Sequence, residues 1–207
     1  MINKHQIPVH ETDALLAIIN KYPLATVITH FGDSVEVSHL PVVADVQLNG
    51  KISIRGHLST RNPQWQHLKN GAAMVLVFNG PNAYINSSWY RVNDVSTWNY
   101  ISVQAEGLPT LEETYEGLLK ILKATTHLTN RLYKDQWDFY IPDDLKSETD
   151  LISAIGGFSL MPKKLIGKFK LSQSKSLEDQ KRIIEELNLR EDENSRLIAR
   201  FMAENFK

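Results

Sequence analysis

The sequence predicts an α+β protein, mostly β: an antiparallel barrel with helices inserted and appended, in a chain of 207 residues that suits one domain. Three observations predict it. Short β-branched runs are separated by tight-turn signals, Gly32-Asp33 and Asn49-Gly50, which join antiparallel neighbours. No G-x-G-x-x-G or G-x-x-x-x-G-K-S/T run follows a candidate strand, so a doubly wound nucleotide fold lacks its phosphate loop. Helical periodicity is confined to a few stretches instead of alternating with every strand.

The first element is a helix over Thr12–Lys21, with Leu15, Leu16, Ile18 and Ile19 on its apolar side and Pro23 ending it. Residues 24–30 are β-branched and apolar. From Ser34, polar Ser34, Glu36 and Ser38 alternate with Val35, Val37 and His39. Ile52 and Ile54 alternate after the Asn49-Gly50 turn. Residues 73–78 read as a buried strand broken by Gly80-Pro81. The strand over 97–106 has two unlike faces: Trp98, Tyr100, Ser102, Gln104 and Glu106 against Ile101, Val103 and Ala105. Such a strand packs on a core and lines a groove or interface. Thr110 with Glu113 resembles a capping box before a helix with Leu118, Leu119, Ile121 and Leu122. A short helix is expected over 144–155, strands over 158–161 and 165–171, and a helical tail over 176–206, capped by Ser176 with Asp179. The total is about six or seven short strands.

Composition excludes several classes. Lysine plus arginine is 23 and aspartate plus glutamate 24, a net charge of −1, so nothing draws the whole chain electrostatically to nucleic acid or membrane. The absence of cysteine removes disulfide frameworks, thiolate zinc sites and cysteine nucleophiles. The seven histidines form no H-E-x-x-H pair, and no G-x-S-x-G elbow occurs, so no metal ligand or catalytic residue is assigned. Residues 72–78 are the longest apolar run, far too short to cross a bilayer, and residues 1–10 carry no signal core. A cytoplasmic protein without membrane contact is expected.

Four segments could carry chemistry. In residues 55–65, RGHLSTRNPQW, a strand ends near His57 and Asn62-Pro63 starts a helix. Hydroxyls, Arg61 and free backbone N–H groups would suit a phosphate, or simply form a capped turn beside a solvated arginine. Residues 77–90, VFNGPNAYINSSWY, are rich in flat amphipathic rings that suit a heterocycle, a subunit interface or plain packing. In residues 95–100, VSTWNY, Trp98 can shield a planar ligand and the Asn99 amide can bond its edge, unless both merely pack. The fourth, residues 167–175, GKFKLSQSK, lies in the one clear basic stretch. Between Lys163 and Arg182 there are seven basic and two acidic residues, able to face a phosphate, DNA or water.

Together and in this order, GHLSTRNPQW, VFNGPNAYINSSWY, STWNY and GKFKLSQ resemble the PaiB-type family of FMN-binding transcriptional regulators. The resemblance runs from His39-Leu40-Pro41 to Lys170-Leu171-Ser172-Gln173. That family is similar to the flavin-binding split barrel of pyridoxamine-phosphate oxidase. The resemblance implies an FMN-binding antiparallel split β-barrel over 1–175, with a C-terminal helical tail, 176–207, packed on the same domain. It also implies a homodimer with FMN at the subunit interface. By motif match, Ser59, Thr60, Arg61 and the helix start at Asn62, with Gly56 ahead of them, would hold the phosphate. His39, His57, Trp98 and Asn99 would flank the ring, and Lys170, Ser172 and Gln173 would close the site. Tyr84, Trp89 and Tyr90 would shape the barrel and the dimer interface. The family more often reads Ala-Arg-Ala where this chain has Ser59-Thr60-Arg61, so the arginine stands one residue further on. Ser96 stands where proline is usual, and Ser174 where asparagine is usual.

The expected function is FMN binding with a negative transcriptional regulatory role. The alternatives are a flavin-dependent oxidoreductase acting on an unknown small molecule and a haem-binding split barrel. Direct DNA contact has little support from charge. Residues 176–207 hold six basic and eight acidic side chains, whereas a DNA-reading helix needs a cationic face.

Overall fold

The computed structural model describes residues 7–9, 12–92, 94–137, 139 and 150–204. In chain order the elements are β1 (Ile7–Val9), α1 (Thr12–Lys21), β2 (Leu24–Phe31), β3 (Ser34–Val46), β4 (Ile52–Ser59), α2 (Pro63–Lys69) and β5 (Met74–Ile85). After a 3-10 turn (Ser87–Trp89) come β6 (Thr97–Gly107), β7 (Thr110–Glu112), α3 (Tyr115–Tyr133) and α4 (Asp150–Ser153). The chain ends with β8 (Ile155–Leu160), β9 (Lys164–Lys170), α5 (Leu177–Asn188) and α6 (Glu193–Glu204). Contacts divide the chain into two compact units: residues 16–78 with 104–165, and residues 1–15 with 79–103 and 166–207.

In the unit of residues 16–78 and 104–165 the strand order is β5-β2-β3-β4-β8-β7, and every described pairing is antiparallel. Glycines at positive φ make the two hairpin turns read from the sequence: Gly32 at 58° between β2 and β3, and Gly50 at 75° between β3 and β4. Ile54, Phe158, Leu160 and Trp65 are buried in its core. Each such side chain contributes about 1.5–3 kcal/mol of burial. Two adjacent glycines in β8 let both sides close in. A Cβ on Gly156 would run into the Trp65 ring of α2, and one on Gly157 would lie 2.8 Å from Ile121 and 2.9 Å from Leu118 of α3. Successive residues of a strand face opposite ways, so α2 packs on one face of β8 and α3 on the other.

In the unit of residues 1–15, 79–103 and 166–207 the order is β1-β9-β6-β5, with β1 antiparallel to β9 from Ile7↔Phe169 to Val9↔Gly167. The α5–α6 hairpin buries Ile183, Leu187, Ile198, Ala199 and Met202. Ser176 caps α5 as expected, accepting from the Asp179 N–H at 3.1 Å while donating to its carboxylate at 2.8 Å.

Several expectations change. Among the described residues nine strands stand where six or seven were expected, because β1 and β7 have three residues each and show no periodicity. Gly80-Pro81 does not break β5. The buried set shifts from Met74, Leu76 and Phe78 to Pro81, Ala83 and Ile85, a one-residue change of phase that absorbs the pair as a bulge would. Gly80 eases the close approach there, since a Cβ would sit 3.1 Å from the Ile101 carbonyl oxygen. Thr110 is in β7 and caps nothing. The cap of α3 is Thr114, whose hydroxyl accepts from the Gly117 N–H at 3.2 Å while Glu112 accepts from the Thr114 N–H at 2.9 Å. The tail is two helices, restarted where Asp192 accepts from the Ser195 N–H at 2.8 Å. Of the helix expected over 144–155 only Asp150–Ser153 is helical; residues 144–149, like 205–207, lie outside the described residues.

Candidate functional site

The predicted site residues are distributed over the two units. His39, Gly56, His57, Ser59, Thr60, Arg61 and Asn62 belong to the unit of residues 16–78 and 104–165. Trp98, Asn99, Lys170, Ser172 and Gln173 belong to the other.

The corner between β4 and α2 is closed by its own polar groups. The Thr60 N–H and hydroxyl both donate to the Ala154 carbonyl, at 2.9 and 3.1 Å. Ser59 accepts from the Arg61 N–H through its hydroxyl at 3.2 Å and from the Asn62 N–H through its carbonyl at 3.0 Å. Asn62 is the N-cap, accepting from the Gln64 N–H at 2.9 Å and donating to the Ser38 hydroxyl at 2.8 Å. Pro63 has no N–H. The donors that could have met a phosphate are therefore largely spent on the turn. Arg61 is exposed and has no partner among the described residues, so its guanidinium is the free cation of this corner.

The β4 residues separate by face. Gly56 serves the core, since a Cβ there would lie 2.7 Å from Phe158 and 2.8 Å from Val42. His57 pairs with Gly157 and so shares the face that α3 covers. It is half-buried, its Nδ1 is buried without a hydrogen-bond partner, and burial holds its pKa below the ordinary histidine range. The ring is thus kept neutral under a helix. His39 is exposed on β3, opposite Thr26.

In the other unit, residues far apart in sequence meet. The Lys170 ammonium donates to the Thr97 hydroxyl, and the Ser172 hydroxyl donates to the Asn99 side-chain oxygen at 3.0 Å, each pair 73 residues apart. Asn99 is fully buried, and its amide also donates to the Met202 sulfur at 3.5 Å. Ser172 holds φ at +58°, a conformation unusual for a residue with a side chain, and that conformation accompanies the Asn99 contact. Gln173 spends its amide locally, accepting from the Leu171 N–H at 2.9 Å and donating to the Phe169 carbonyl. Burial lowers the pKa of Lys170.

Thr97, Lys170, Ser172 and Gln173 line a cavity of about 310 Å³, together with Asp94, Val95, Ser174 and Lys175. That volume is at the small end of ligand pockets. Lys175 is paired with Asp94 and lies 4.5 Å above the Tyr90 ring. Trp98 is 54% exposed and meets Tyr84 edge to face at 5.8 Å. Thr97 and Lys175 line this cavity although the sequence reading does not place them among the candidate site residues. Their signals were present, in the first hydroxyl of the STWNY segment and the end of the basic run. Among the described residues no group of histidines and carboxylates is placed to hold a metal ion, and no helix is long and apolar enough to cross a membrane.

Comparison with known proteins places the chain. Residues 1–162 match the family described as "Putative FMN-binding domain". The chain is 31% identical over 193 residues to "Protease synthase and sporulation protein PAI 2" of Bacillus subtilis (strain 168), covering 91% of this chain and 90% of that protein. Among solved structures it is similar to the flavocytochrome Anf3 from Azotobacter vinelandii, with a TM-score of 0.59 and 15% identity over 83% of this chain and 73% of that one. It is also similar to the FAD and heme binding protein from Mycobacterium smegmatis, with a TM-score of 0.57 and 15% identity over 84% and 78% of the two chains. The fold is the antiparallel split barrel of the α+β class. The chain belongs to the FMN-binding domain family.

Proposed function

We propose that this member of the family binds FMN, and that the cavity built by Thr97, Lys170 and Ser172 is where the chain grips it. The observation that carries this reading is the convergence of two segments, STWNY and GKFKLSQ, on one recess with ammonium and hydroxyl donors. Those donors fit a phosphomonoester. When bound, FMN supplies the redox chemistry that a chain without cysteine lacks. The chain's own residues position and charge-balance it: Lys170 donates to the anion, and Ser172 holds Asn99 rigid.

The same reading includes a homodimer. Val35 and Val37 are 59% and 56% exposed on β3 and share a sheet face with Ile28 of β2 and Val75 of β5. Exposed apolar faces of this kind mark interaction sites. A regulatory role is the further part of the proposal, supported by the sporulation relative and not by any cationic reading surface in the tail.

Absorbance spectroscopy with an FMN titration tests the core of this reading. A flavin spectrum and saturable quenching of FMN fluorescence at about micromolar concentration are expected. No quenching at that level removes the proposal, and a Soret band in the purified protein replaces flavin with haem. Sedimentation tests the dimer, with Val37→Lys expected to give monomer. A gel shift on promoter DNA that is indifferent to sequence would remove the direct regulator.

A further inference from the structure

A second recess lies on α3, in the unit of residues 16–78 and 104–165. Lys123, Thr126, His127 and Asn130 follow the i, i+3, i+4, i+7 spacing of one helix face, opposite the buried Leu118, Ile121 and Leu128. After α3 ends at Lys134 in the left-handed conformation, the chain folds back, and Asn130 donates to the Trp137 carbonyl at 2.6 Å. This brings Trp137 and Phe139 over the polar face. Their rings meet at 5.9 Å and 81°, forming a corner. The result is a cleft of about 400 Å³ lined by these four helix residues and two rings.

We propose that this cleft binds a planar aromatic carboxylate. Two rings at right angles accept a third flat ring, one presenting its face and the other its edge. Among the described residues no acidic side chain lines the cleft and Lys123 has no ion-pair partner. The His127 ring and the Thr126 hydroxyl add donors beside the ammonium. The carbonyl-rich C-terminus of α3 opposes an anion, but that effect is confined to the last turn. Lys123 lies ten residues before Tyr133 and so sets the sign at its own end of the cleft. The volume suits a ligand of one or two rings.

Calorimetric titration of the full chain with anthranilate is the test. One-site saturation is expected, weakened about tenfold by Lys123→Met and about tenfold by Trp137→Ala, the loss of one charged hydrogen bond or one ring contact. Both side chains are exposed, so the variants keep the core, and unchanged circular dichroism confirms it. Cyclohexanecarboxylate, charged but not flat, and benzyl alcohol, flat but neutral, are each expected to bind more weakly. The proposal is overturned if anthranilate fails to saturate by ~10 mM. It is equally overturned if neither substitution changes the affinity, or if cyclohexanecarboxylate binds as tightly. FMN titration of the same samples is unaffected in either case, so this result and the flavin reading stand or fall separately.

Discussion

The corner after β4 and the recess beside β6 and β9 are built from the same kinds of residue, and they differ in where the polar groups go. At the corner, Ser59, Thr60 and Asn62 bond the turn's own backbone, Ala154 and Ser38, leaving one exposed guanidinium. At the recess, Lys170 and Ser172 bond residues 73 positions away, and the space between remains open. A run of hydroxyls in one segment is therefore a poor indicator of a ligand site, because neighbours in sequence can satisfy one another. Donors converging from separate strands leave a gap that a ligand can fill. The proposed function makes the corner a structural device and the recess the binding one.

The largest expected effect tests the corner as structure. Gly156→Ala drives a methyl into the rigid Trp65 ring that seats α2, and should cost about 3 kcal/mol of stability, read by urea denaturation. FMN affinity per folded molecule should stay the same; a parallel loss of affinity would break the distinction. Next comes the recess. Lys170→Met should weaken FMN about thirtyfold, roughly 2 kcal/mol for a partly buried charged hydrogen bond, while leaving the melting midpoint nearly unmoved. Because burial lowers the pKa of Lys170, the wild type should lose affinity on the alkaline side at a lower pH than an ordinary lysine would impose, and Lys170→Arg should abolish that limb.

Asn62→Ala removes a cap and the tie to Ser38, and should cost about 1 kcal/mol of stability with no change in FMN titration. The smallest effect belongs to Arg61→Ala. An exposed, salt-screened guanidinium contributes well under 1 kcal/mol, so FMN affinity should fall by about threefold at most. A hundredfold loss there would invert the comparison and make the displaced arginine the main phosphate contact.

What the sequence made legible was local. The bounds of α1, the caps Asn62 and Ser176 and the two glycine turns depend on residues within one turn of each other. The β6 faces were legible too, because alternation fixes them. What failed depended on distant neighbours. Gly80-Pro81 reads as a break until the Ile101 carbonyl opposite is known. Thr110 reads as a cap until it pairs with Ser159 in β7. His57 could be placed on a face but not under α3, since nothing in its segment says which helix returns there. The candidate segments themselves were visible. The pairing of Lys170 with Thr97 was not, because strand order is a property of the whole chain. His57 also carries a consequence for acid. Its lowered pKa means the folded state resists the proton that the unfolded chain accepts, so stability should decline as pH falls below about 6.5 and His57→Gln should flatten that decline.

The paired glycines of β8 have one more consequence, a mechanical one. Where Trp65 presses on Gly156 and Ile121 on Gly157, only the thickness of a bare peptide separates the Trp65 ring of α2 from the Ile121 and Leu118 side chains of α3. β8 itself contributes no side chain at these two positions to absorb a displacement. The two helices are in effect the jaws of a clamp closed on β8, and a larger residue at either glycine would push its jaw away from the strand.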